Sequence, residues 1–385
     1  MSEWKKKPLG DICVIKTGNK DVNQGSEGGK YPFFTCAQKI YKIDNYVFDG
    51  EAILIAGNGF FNVKYYNGKF DAYQRTYVLM SFTEFGKYVF RYIQFKLDDI
   101  TSDNRGSTIR YIRIGDLSNY KIPLPPTIEE QRKIVEQLEQ LLGKINSANE
   151  RLNKIPALLK RFRQSVLSAA CSGRLTDDWR EGKELVEWEN KRIGDVFNTQ
   201  LGKMLSKKAF EPDLTMLPYL RNANVQWGKI DVNDVLEMGF SEREIKKFTL
   251  ELGDLIMCEG GDIGRCAIWK NQLENCLYQK ALHRVRPKDN KEVTTKWLFY
   301  YFNLISLDGR LYEGISETTI KHLPQDRLVE ILIPLPPLPE QEEIVRRVDM
   351  LFGLADKVEA RYNAVKTALS RAERAVYAKV FRGEM

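Results

Sequence analysis

Side chains that donate hydrogen bonds or carry positive charge gather in Gly- and Asn-rich turns of this sequence. SDNRGSTIRYIR (102–113) is one such cluster, and LGKMLSKK (201–208), YLRNANVQWG (219–228) and YQKALHRVR (278–286) are three more. Arg and Lys bind guanine edges or phosphates, and Asn and Gln bind adenine, so such loops are typical of DNA contact. The predicted DNA-binding residues are Lys20, Gln74, Arg75, Asn104, Arg105, Ser107, Thr108, Arg110, Arg113, Lys203, Lys207, Lys208, Arg221, Asn222, Asn224, Gln279, Lys280, Arg284 and Lys321.

Each of these side chains has an alternative role as an ordinary polar group in a solvated turn. For any single residue this alternative is as good as DNA contact, but it fits the clusters as a whole less well. Asn222 and Asn224 have a more specific alternative, because Asn in a turn often bonds the backbone nearby.

Motifs for catalysis are absent from the sequence. There is no phosphate loop of the G-x-x-x-x-G-K-[ST] type and no G-x-S-x-G elbow, and the glycine clusters AGNG (56–59) and EGGDIG (259–264) match tight strand turns better than G-x-G-x-x-G. His283 and His322 have no acidic partner in their motifs, which favours structural roles for both. We therefore expect no enzymatic activity and no cofactor.

One nuclease arrangement remains as an alternative. Pro212-Asp213 and Glu244-Ile245-Lys246 can be assembled into a Pro-Asp then Glu-x-Lys site. In a chain with 29% charged residues such a pairing arises by chance, and the gap between the two parts is long.

Length and composition indicate a protein of at least two domains. A chain of 385 residues exceeds the roughly 250–300 residues at which single cores stop growing. No apolar run approaches the ~20 residues of a membrane span, and six cysteines without C-x-x-C, beside two histidines, leave few zinc ligands. A soluble cytoplasmic protein with reduced cysteines is predicted. The net charge of +7 favours a polyanion partner only weakly, since residues 179–337 hold 23 Lys and Arg against 24 Asp and Glu.

The elements that must position the clusters occur twice. IPLPPTIEEQRKIVEQLEQLL begins at Ile122 and IPLPPLPEQEEIVRRVDMLF at Ile333, and each leads into a heptad pattern of apolar residues. The pattern predicts two long helices, with Thr127 as a cap, Gly173 and Gly383 as stops, and a kink or break at Pro156. We expect the two helices to pack antiparallel, the alternative being that each packs on its own globular neighbour. The paired positions are Ile134, Leu138, Leu141, Ile145, Ala148, Leu152, Ile155, Leu159, Phe162, Val166 and Ala169 in the first copy, and Ile344, Val348, Leu351, Ala355, Val358, Tyr362, Val365, Leu369, Ala372 and Val376 in the second.

The segments before each helix also repeat. EWKKKPLGDICVIKTGNK (3–20) matches EWENKRIGDVFNTQLGK (187–203), GEAILI (50–55) matches GDLIMC (253–258), and YQRTYVL (73–79) matches YQKALHRV (278–285). Short β-branched runs broken by turns, with one helical stretch at 294–306, predict an α+β class. The predicted domains are 1–126 and 179–337, related by a pseudo-two-fold axis and joined by antiparallel coiled-coil helices at 127–178 and 338–385.

These features together resemble the specificity subunits of type I restriction-modification systems. The resemblance covers the whole chain and rests on STIRYIRIGDLSNYKIPLPPTIEEQRKIVEQLEQLL, its echo TTIKHLPQDRLVEILIPLPPLPEQEEIVRRVDMLF, SGRLTDDWRE (172–181) and LPYLRNANVQWGKI (217–230). It departs from the pattern at Pro156 and at the end FRGEM, where no second RLTDDW follows, and this leaves the capping of the last helix open.

The resemblance implies a non-catalytic, double-stranded-DNA-binding subunit. Each target-recognition domain would read one half of a bipartite site, and the helices would set the gap. The implied partners are two modification subunits carrying a methyltransferase and restriction subunits carrying an ATP-dependent translocase and nuclease. Two alternatives stay open: the recognition chain of a fused restriction-methylation enzyme, and an assembly adaptor that does not bind DNA.

Overall fold

The chain folds as two units, and the first of them is made from both ends of the sequence. The structure, a computed structural model, describes residues 4–26, 28–102, 105, 108–205, 213–312 and 322–384. The first unit combines Met1–Asn153 with Tyr362–Met385, and the second unit is Lys154–Arg361.

A six-stranded sheet forms the centre of the first unit. The strands of this unit are β1 (Lys5–Pro8), β2 (Val14–Thr17), β3 (Tyr31–Phe34), β4 (Tyr41–Ile43), β5 (Phe48–Ala56), β6 (Val63–Ala72), β7 (Thr76–Met80) and β8 (Lys121–Leu124). The sheet order is β2-β7-β5-β6-β3-β4, and its pairs are antiparallel except β3 with β6. A separate ribbon pairs β1 with β8, which anchors the IPLP segment beside the start of the chain.

Helices cover one face of this sheet. They are α1 (Leu9–Ile12), α2 (Gly86–Ile100), α3 (Ile114–Ser118) and α4 (Ile128–Leu152). The buried face of α2 carries Tyr88, Val89 and Ile93, which share a core with Ile53 and Leu79 of the sheet. Helix α2 was not predicted from the sequence.

The second unit repeats this plan with shorter strands. They are β9 (Glu189–Arg192), β10 (Phe197–Leu201), β11 (Thr215–Leu220), β12 (Val225–Gln226), β13 (Lys229–Ile230), β14 (Leu236–Phe240), β15 (Leu255–Cys258), β16 (Cys266–Ile268), β17 (Leu277–Tyr278), β18 (Leu282–Pro287) and β19 (Leu332–Leu335). The sheets have the orders β10-β18-β15-β16 and β14-β11-β17, and β19 pairs with β9 as β8 pairs with β1. The pair β12-β13 forms a small hairpin.

The shorter helices of the second unit include the one that the sequence predicted. They are α5 (Ile155–Cys171), α6 (Asp177–Arg180), α7 (Ile193–Val196), α8 (Glu242–Phe248), α9 (Thr295–Leu307) and α10 (Gln325–Glu330). The prediction at 294–306 corresponds to α9, whose buried Trp297 and Phe302 lie in the main core of this unit.

The last helix, α11 (Leu338–Phe381), has 44 residues and contributes to both units. The first helical repeat is instead interrupted, because α4 ends at Leu152 and α5 begins at Ile155 with Pro156 in its first turn. The predicted break is therefore confirmed, as is the cap by Thr127, whose side chain accepts a hydrogen bond from the backbone of Glu130. Gly173 and Gly383 end their helices with left-handed φ angles of 82° and 70°.

Antiparallel packing of the long helices is found inside each unit. In the second unit the end of α5, with Val166 and Ala170, shares a core with Ile344 and Val348 at the start of α11. Arg163 adds ion pairs from α5 to α11, at 2.7 Å from Asp356 and 2.8 Å from Glu359.

The first unit pairs its helices in the same way. Val135 and Leu138 near the start of α4 share a core with Tyr377 and Val380 near the end of α11. These cores also contain globular residues, so both expected modes of packing occur together. The middle of the predicted heptad pattern is only partly buried, since Leu159 and Ala355 are buried but Phe162, Val358 and Val365 are exposed. Burial is strong where α2 or α9 adds a third layer to the helix pair and weak between those points.

The internal repeat is confirmed by pairing, with a correction to its alignment. Thr17 pairs with Tyr77 in the first unit as Leu201 pairs with His283 in the second. This register sets Tyr77 against His283, a spacing of 206, whereas the sequence alignment of Tyr73 with Tyr278 gave 205. The identity of a Tyr-Gln dipeptide in both copies caused the slip of one residue.

Two features of composition can be checked directly. The six cysteines are free thiols, and Cys13, Cys258, Cys266 and Cys276 are buried. Within the described ranges, no helix has both the length and the apolar character that crossing a membrane requires.

Candidate nucleic-acid interface

Four backbone segments of the first unit meet at one edge of its sheet. The backbone N–H of Gln74 donates to Lys20 O at 2.9 Å. The backbone N–H of Gly57 donates to Arg75 O at 2.8 Å, and that of Gly59 donates to Arg110 O at 2.8 Å. We call this group, Gly18–Lys20, Gly57–Gly59, Tyr73–Arg75 and Arg110–Ile112, the first loop edge. It brings predicted residues from three distant parts of the sequence together.

The second unit builds the corresponding edge with equivalent hydrogen bonds. Lys280 donates its amide to Lys203 O at 2.8 Å, Glu259 donates to Ala281 O at 3.0 Å, and Leu323 donates to Glu259 O at 2.6 Å. The counterpart of the last bond in the first unit is that from the Ile112 N–H to Gly57 O at 3.0 Å. We call the group Gly202–Lys203, Glu259–Gly261, Gln279–Ala281 and His322–Leu323 the second loop edge. An antiparallel bridge joins Gly260 to His322 here, as Asn58 joins Tyr111 in the first unit.

A glycine permits the close approach of segments in each edge. A Cβ atom at Gly18 would lie 1.9 Å from Ala72 O, and one at Gly202 would lie 2.4 Å from Gln279 O. Both distances are shorter than any real contact with a backbone atom. The glycines in TGNK and LGK are therefore required by the fold of the edge.

The first loop edge and the residues next to it present cations to solvent. Arg75, Arg110 and Arg113 are exposed, and within the described residues none of the three lies within ion-pair distance of a carboxylate. Thr108 is exposed as well, and Lys20 is half-buried. These side chains are available to a polyanion.

Two further predicted residues of the first unit make internal contacts. Gln74 is exposed, and its side-chain Nε2 donates to Asp21 Oδ1 at 2.9 Å. Arg105 lies 2.6 Å from Asp116, and this hydrogen bond holds the pKa of the Asp116 carboxyl below its usual range. A cleft of about 330 Å³ lies beside Gln74 and Arg75, with Tyr77 and Tyr111 in its walls.

Three of the predicted cations of the second unit make contacts inside the domain. Lys203 Nζ lies 2.7 Å from Glu244 and donates to Gly239 O at 2.8 Å. Arg221 lies 2.8 Å from Asp234, and Arg284 donates to backbone carbonyls at 3.1 and 3.2 Å. These three residues, predicted as DNA contacts, hold loops of the unit to one another in this structure.

Asn224 is a turn residue, and here the alternative considered for it is the better description. Its side chain is 2% exposed and donates to Asp231 O and Asp234 O, both at 2.9 Å, while its carbonyl oxygen accepts from the Arg221 amide at 2.8 Å. Since both N–H groups and the carbonyl are engaged, this amide has no donor left to read a base. Asn222 is half-buried and donates to Gly260 O at 3.1 Å, which links its turn to the second loop edge.

Gln279 and Lys280 remain accessible on the second loop edge, Lys280 being exposed and Gln279 half-buried. Asn104, Ser107, Lys207, Lys208 and Lys321 lie outside the described residues.

Tyr77 and His283 occupy equivalent positions in the two units, and each side chain bonds a backbone carbonyl of its loop edge. Tyr77 Oη donates to Ile112 O at 3.0 Å, and His283 Nε2 lies 2.9 Å from Leu323 O, so the proton is on Nε2. Burial raises the pKa of Tyr77 and lowers that of His283. The structural role expected for His283 is confirmed.

Sequence reasoning missed Asn58, Phe60 and Tyr111. Phe60 is 72% exposed and directly follows Gly59, whose backbone N–H donates to the Arg110 carbonyl. The AGNG turn was recognised as a turn, but its place in the edge depends on long-range pairing.

The nuclease alternative loses one of its residues to a structural role. Glu244 accepts from the Ser241 amide at 2.9 Å and so caps α8, besides pairing with Lys203. Burial alone would raise the pKa of Glu244, but these hydrogen bonds hold it below its usual range. Within the described residues, no group of three or more His, Cys, Asp and Glu side chains is placed to hold a metal ion.

Comparison with known proteins identifies the family. The chain matches the type I restriction modification DNA specificity domain over residues 1–157 and 185–367. The specificity subunit of the type I restriction enzyme EcoDI from Escherichia coli is 33% identical over 404 residues, which cover 100% of this chain and 89% of that protein. The EcoKI specificity subunit from Escherichia coli (strain K12) is 32% identical over 74% of this chain and 62% of that protein.

Solved structures support the fold. A chain from work on complex assembly and conformational transition of the type I R-M system has a TM-score of 0.75 at 18% identity and covers 100% of this chain and 99% of its own length. The HsdS subunit from Thermoanaerobacter tengcongensis has a TM-score of 0.57 at 19% identity and covers 100% and 98%. The predicted α+β class with two repeated domains is confirmed. On the family match and the identity to these relatives, the chain belongs to the type I restriction-modification DNA specificity family.

Proposed function

We propose that this chain recognises a bipartite DNA sequence, with the first loop edge in one half-site and the second loop edge in the other. The observation that carries the proposal is the duplicated frame, in which both units hold the same four backbone segments at one edge of a sheet. Loops held by a rigid frame are suited to reading bases, because their side chains reach the groove in a fixed register.

We infer that residues 1–126 and 179–337 are the reading domains and that the helices at 127–178 and 338–385 set the gap between half-sites. Support for this inference comes from the antiparallel helix pairs found in each unit. A packed helix pair resists bending and changes of length far better than a loop does.

In this proposal the chain supplies recognition and leaves chemistry to its partners. Two modification subunits would methylate the DNA, restriction subunits would translocate and cleave it, and the assembly would act in the cytoplasm. The engagement of Glu244 in a helix cap and an ion pair supports a chain without nuclease chemistry of its own.

Exchange of one domain tests the proposal. Residues 187–330 are replaced by the equivalent part of a relative with another specificity, and methylated sites are mapped in DNA from cells that also make the modification subunits. One half of the site should change, while the other half and the gap stay the same. The control exchange of residues 1–126 should change the opposite half.

The outcome also separates the alternatives. A change in both halves, or in neither, contradicts modular reading, and a change in the gap contradicts the helices as the ruler. An assembly adaptor would bind neither cognate nor scrambled DNA. A sequence reader should bind cognate DNA more tightly at two salt concentrations.

A further inference from the structure

In the second unit, a short segment that follows α5 covers a buried carboxylate. Glu340, in the first turn of α11, has no exposed surface. Thr176 Oγ1 donates to it at 2.8 Å, Trp188 Nε1 donates at 2.9 Å, and Arg180 lies 3.1 Å away. A buried carboxylate is costly unless it is paired in this way, so residues 174–180 complete the start of the helix.

The same segment is also held along the side of α11. Arg347 donates to Leu175 O at 2.8 Å and lies 2.5 Å from Asp178, while the Leu175 side chain packs against the core of the unit. The segment therefore contacts the unit through one leucine, one hydroxyl, one arginine and one acidic residue of its own.

The first unit has the same groove around equivalent residues. A Cβ atom at Gly383 would lie 3.2 Å from the Trp4 side chain, and one at Gly173 would lie 3.5 Å from the Trp188 side chain. Both glycines have left-handed φ angles. The helical repeat, with a spacing of 210, sets Glu130 in the place of Glu340. Here Glu130 is exposed and lines a groove of about 380 Å³.

The walls of this groove have the features that a segment like 174–180 needs. Ile134 and Val380 supply an apolar floor, Glu130 supplies a carboxylate, and Lys133 and Arg382 supply positive charge. No described residue takes the place that residues 174–180 take in the second unit. The receiving surface of the first unit keeps the tryptophan, the carboxylate and the apolar floor, but Gln137 stands where Arg347 stands in the second unit.

We propose that the groove of the first unit binds a polypeptide segment from another protein chain with the chemistry of residues 174–180. Its arginine pairs with Glu130, its leucine packs on Ile134, its hydroxyl bonds the same carboxylate, and its acidic residue faces Lys133. This inference is independent of DNA reading by the loop edges, because none of the groove residues belongs to either edge.

Binding of a peptide to the complete chain is the first test. The probe is a fluorescently labelled peptide with the sequence of residues 173–187, and its anisotropy is followed during titration with the protein. One saturable site per chain is expected. Glu130→Ala should weaken binding at least about tenfold, because a charge-assisted hydrogen bond contributes roughly 1.5–3 kcal/mol.

Glu129→Ala is the matched control. Glu129 is also exposed in the first turn of α4 but does not line the groove, so its loss changes the helix terminus equally and leaves peptide affinity unchanged. A peptide with Asp in place of Leu175 should not bind. Absence of saturable binding, or equal effects of the Glu129 and Glu130 changes, would overturn the proposal.

Joining the segment covalently to this chain removes the entropy cost of bringing a free peptide to the groove. Arg-Leu-Thr-Asp-Asp-Trp-Arg is inserted after Gly383, and the thermal midpoint of the first unit is measured by hydrogen exchange against temperature. It should rise by at least about 2 °C, and Glu130→Ala should cancel the gain. No gain sinks the proposal, and a gain without binding of the free peptide rules out a segment supplied by another chain. Self-association of the unmodified protein that Glu130→Ala abolishes would assign the groove to a second copy instead.

Discussion

The two loop edges share a backbone frame but use their cations differently. In the first, Arg75, Arg110 and the adjacent Arg113 are exposed and have no carboxylate partner among the described residues. In the second, Lys203 is paired inside the domain with Glu244, and Arg221 beside the edge with Asp234, while Lys280 is exposed. One fold therefore leaves these arginines exposed in one copy and holds a lysine in an internal ion pair in the other.

The difference follows from what surrounds each edge. The second unit carries α8 and the strand β14 beside its edge, and their carboxylate and carbonyl groups reach Lys203. The corresponding region of the first unit leaves Lys20 without an ion pair among the described residues. Equivalent substitutions in the backbone frame should thus have similar effects in the two units. Substitutions of the cations should have different effects in the two units.

The largest effect is expected from loss of the frame glycines. Gly18→Ala and Gly202→Ala should each destabilise their own unit by about 3 kcal/mol, because the new Cβ overlaps a backbone oxygen. Hydrogen exchange of backbone amides, measured unit by unit, checks this. Gly115→Ala is the control, since nothing lies within 4 Å of a Cβ there. Loss in one unit alone would show that the edges are not equivalent.

A medium effect should divide the cations into two classes. Lys203→Met should destabilise the second unit by about 1–3 kcal/mol, because Glu244 loses a partner at a partly buried site. Arg110→Ala should change stability by less than about 0.5 kcal/mol but lower DNA affinity and flatten its salt dependence by about one charge. Denaturation and DNA titration at several salt concentrations measure both quantities. If Arg110→Ala leaves the salt dependence unchanged, the first loop edge does not contact phosphate.

The smallest effect is a difference in pH dependence between Tyr77 and His283. Because burial lowers the pKa of His283, the stability that it contributes is complete above its unfolded value of 6.5 and is lost as pH falls below that value. Because burial raises the pKa of Tyr77, its contribution is complete below its unfolded value of 10.0 and is lost as pH rises above it.

Unit-resolved hydrogen exchange at pH 5.5, 7.5 and 10.5 measures this contrast. His283→Gln should remove the acid sensitivity of the second unit and leave the alkaline sensitivity of the first unchanged. An acid loss that persists in His283→Gln would assign the titration to another group.

Local signals in the sequence predicted much of the fold. Pro156, Thr127 and the two helix-ending glycines act through neighbouring backbone atoms, so their effects can be read from sequence alone. The helix α2 was missed because the segment 86–100 is rich in aromatic residues, which are typical of strands as well.

The candidate site was less predictable, for a physical reason. Whether a lysine such as Lys203 faces DNA or a half-buried glutamate depends on a residue 41 positions away. Asn224 and Arg110 look alike as polar turn residues, yet one is 2% exposed and the other is open to solvent. Long-range pairing decides between these outcomes, and composition carries no information about it.

The helix α11 also sets an order of events during synthesis. Tyr377 bonds Gln94 across 283 residues of sequence, and Phe381 packs against Tyr88 and Tyr92 in the core of the first unit. On the ribosome, the second unit can therefore assemble from contiguous chain while the first still lacks part of its interior. The nascent first unit keeps apolar surface uncovered until α11 is translated, and uncovered apolar surface makes a partly folded chain prone to aggregation in that interval.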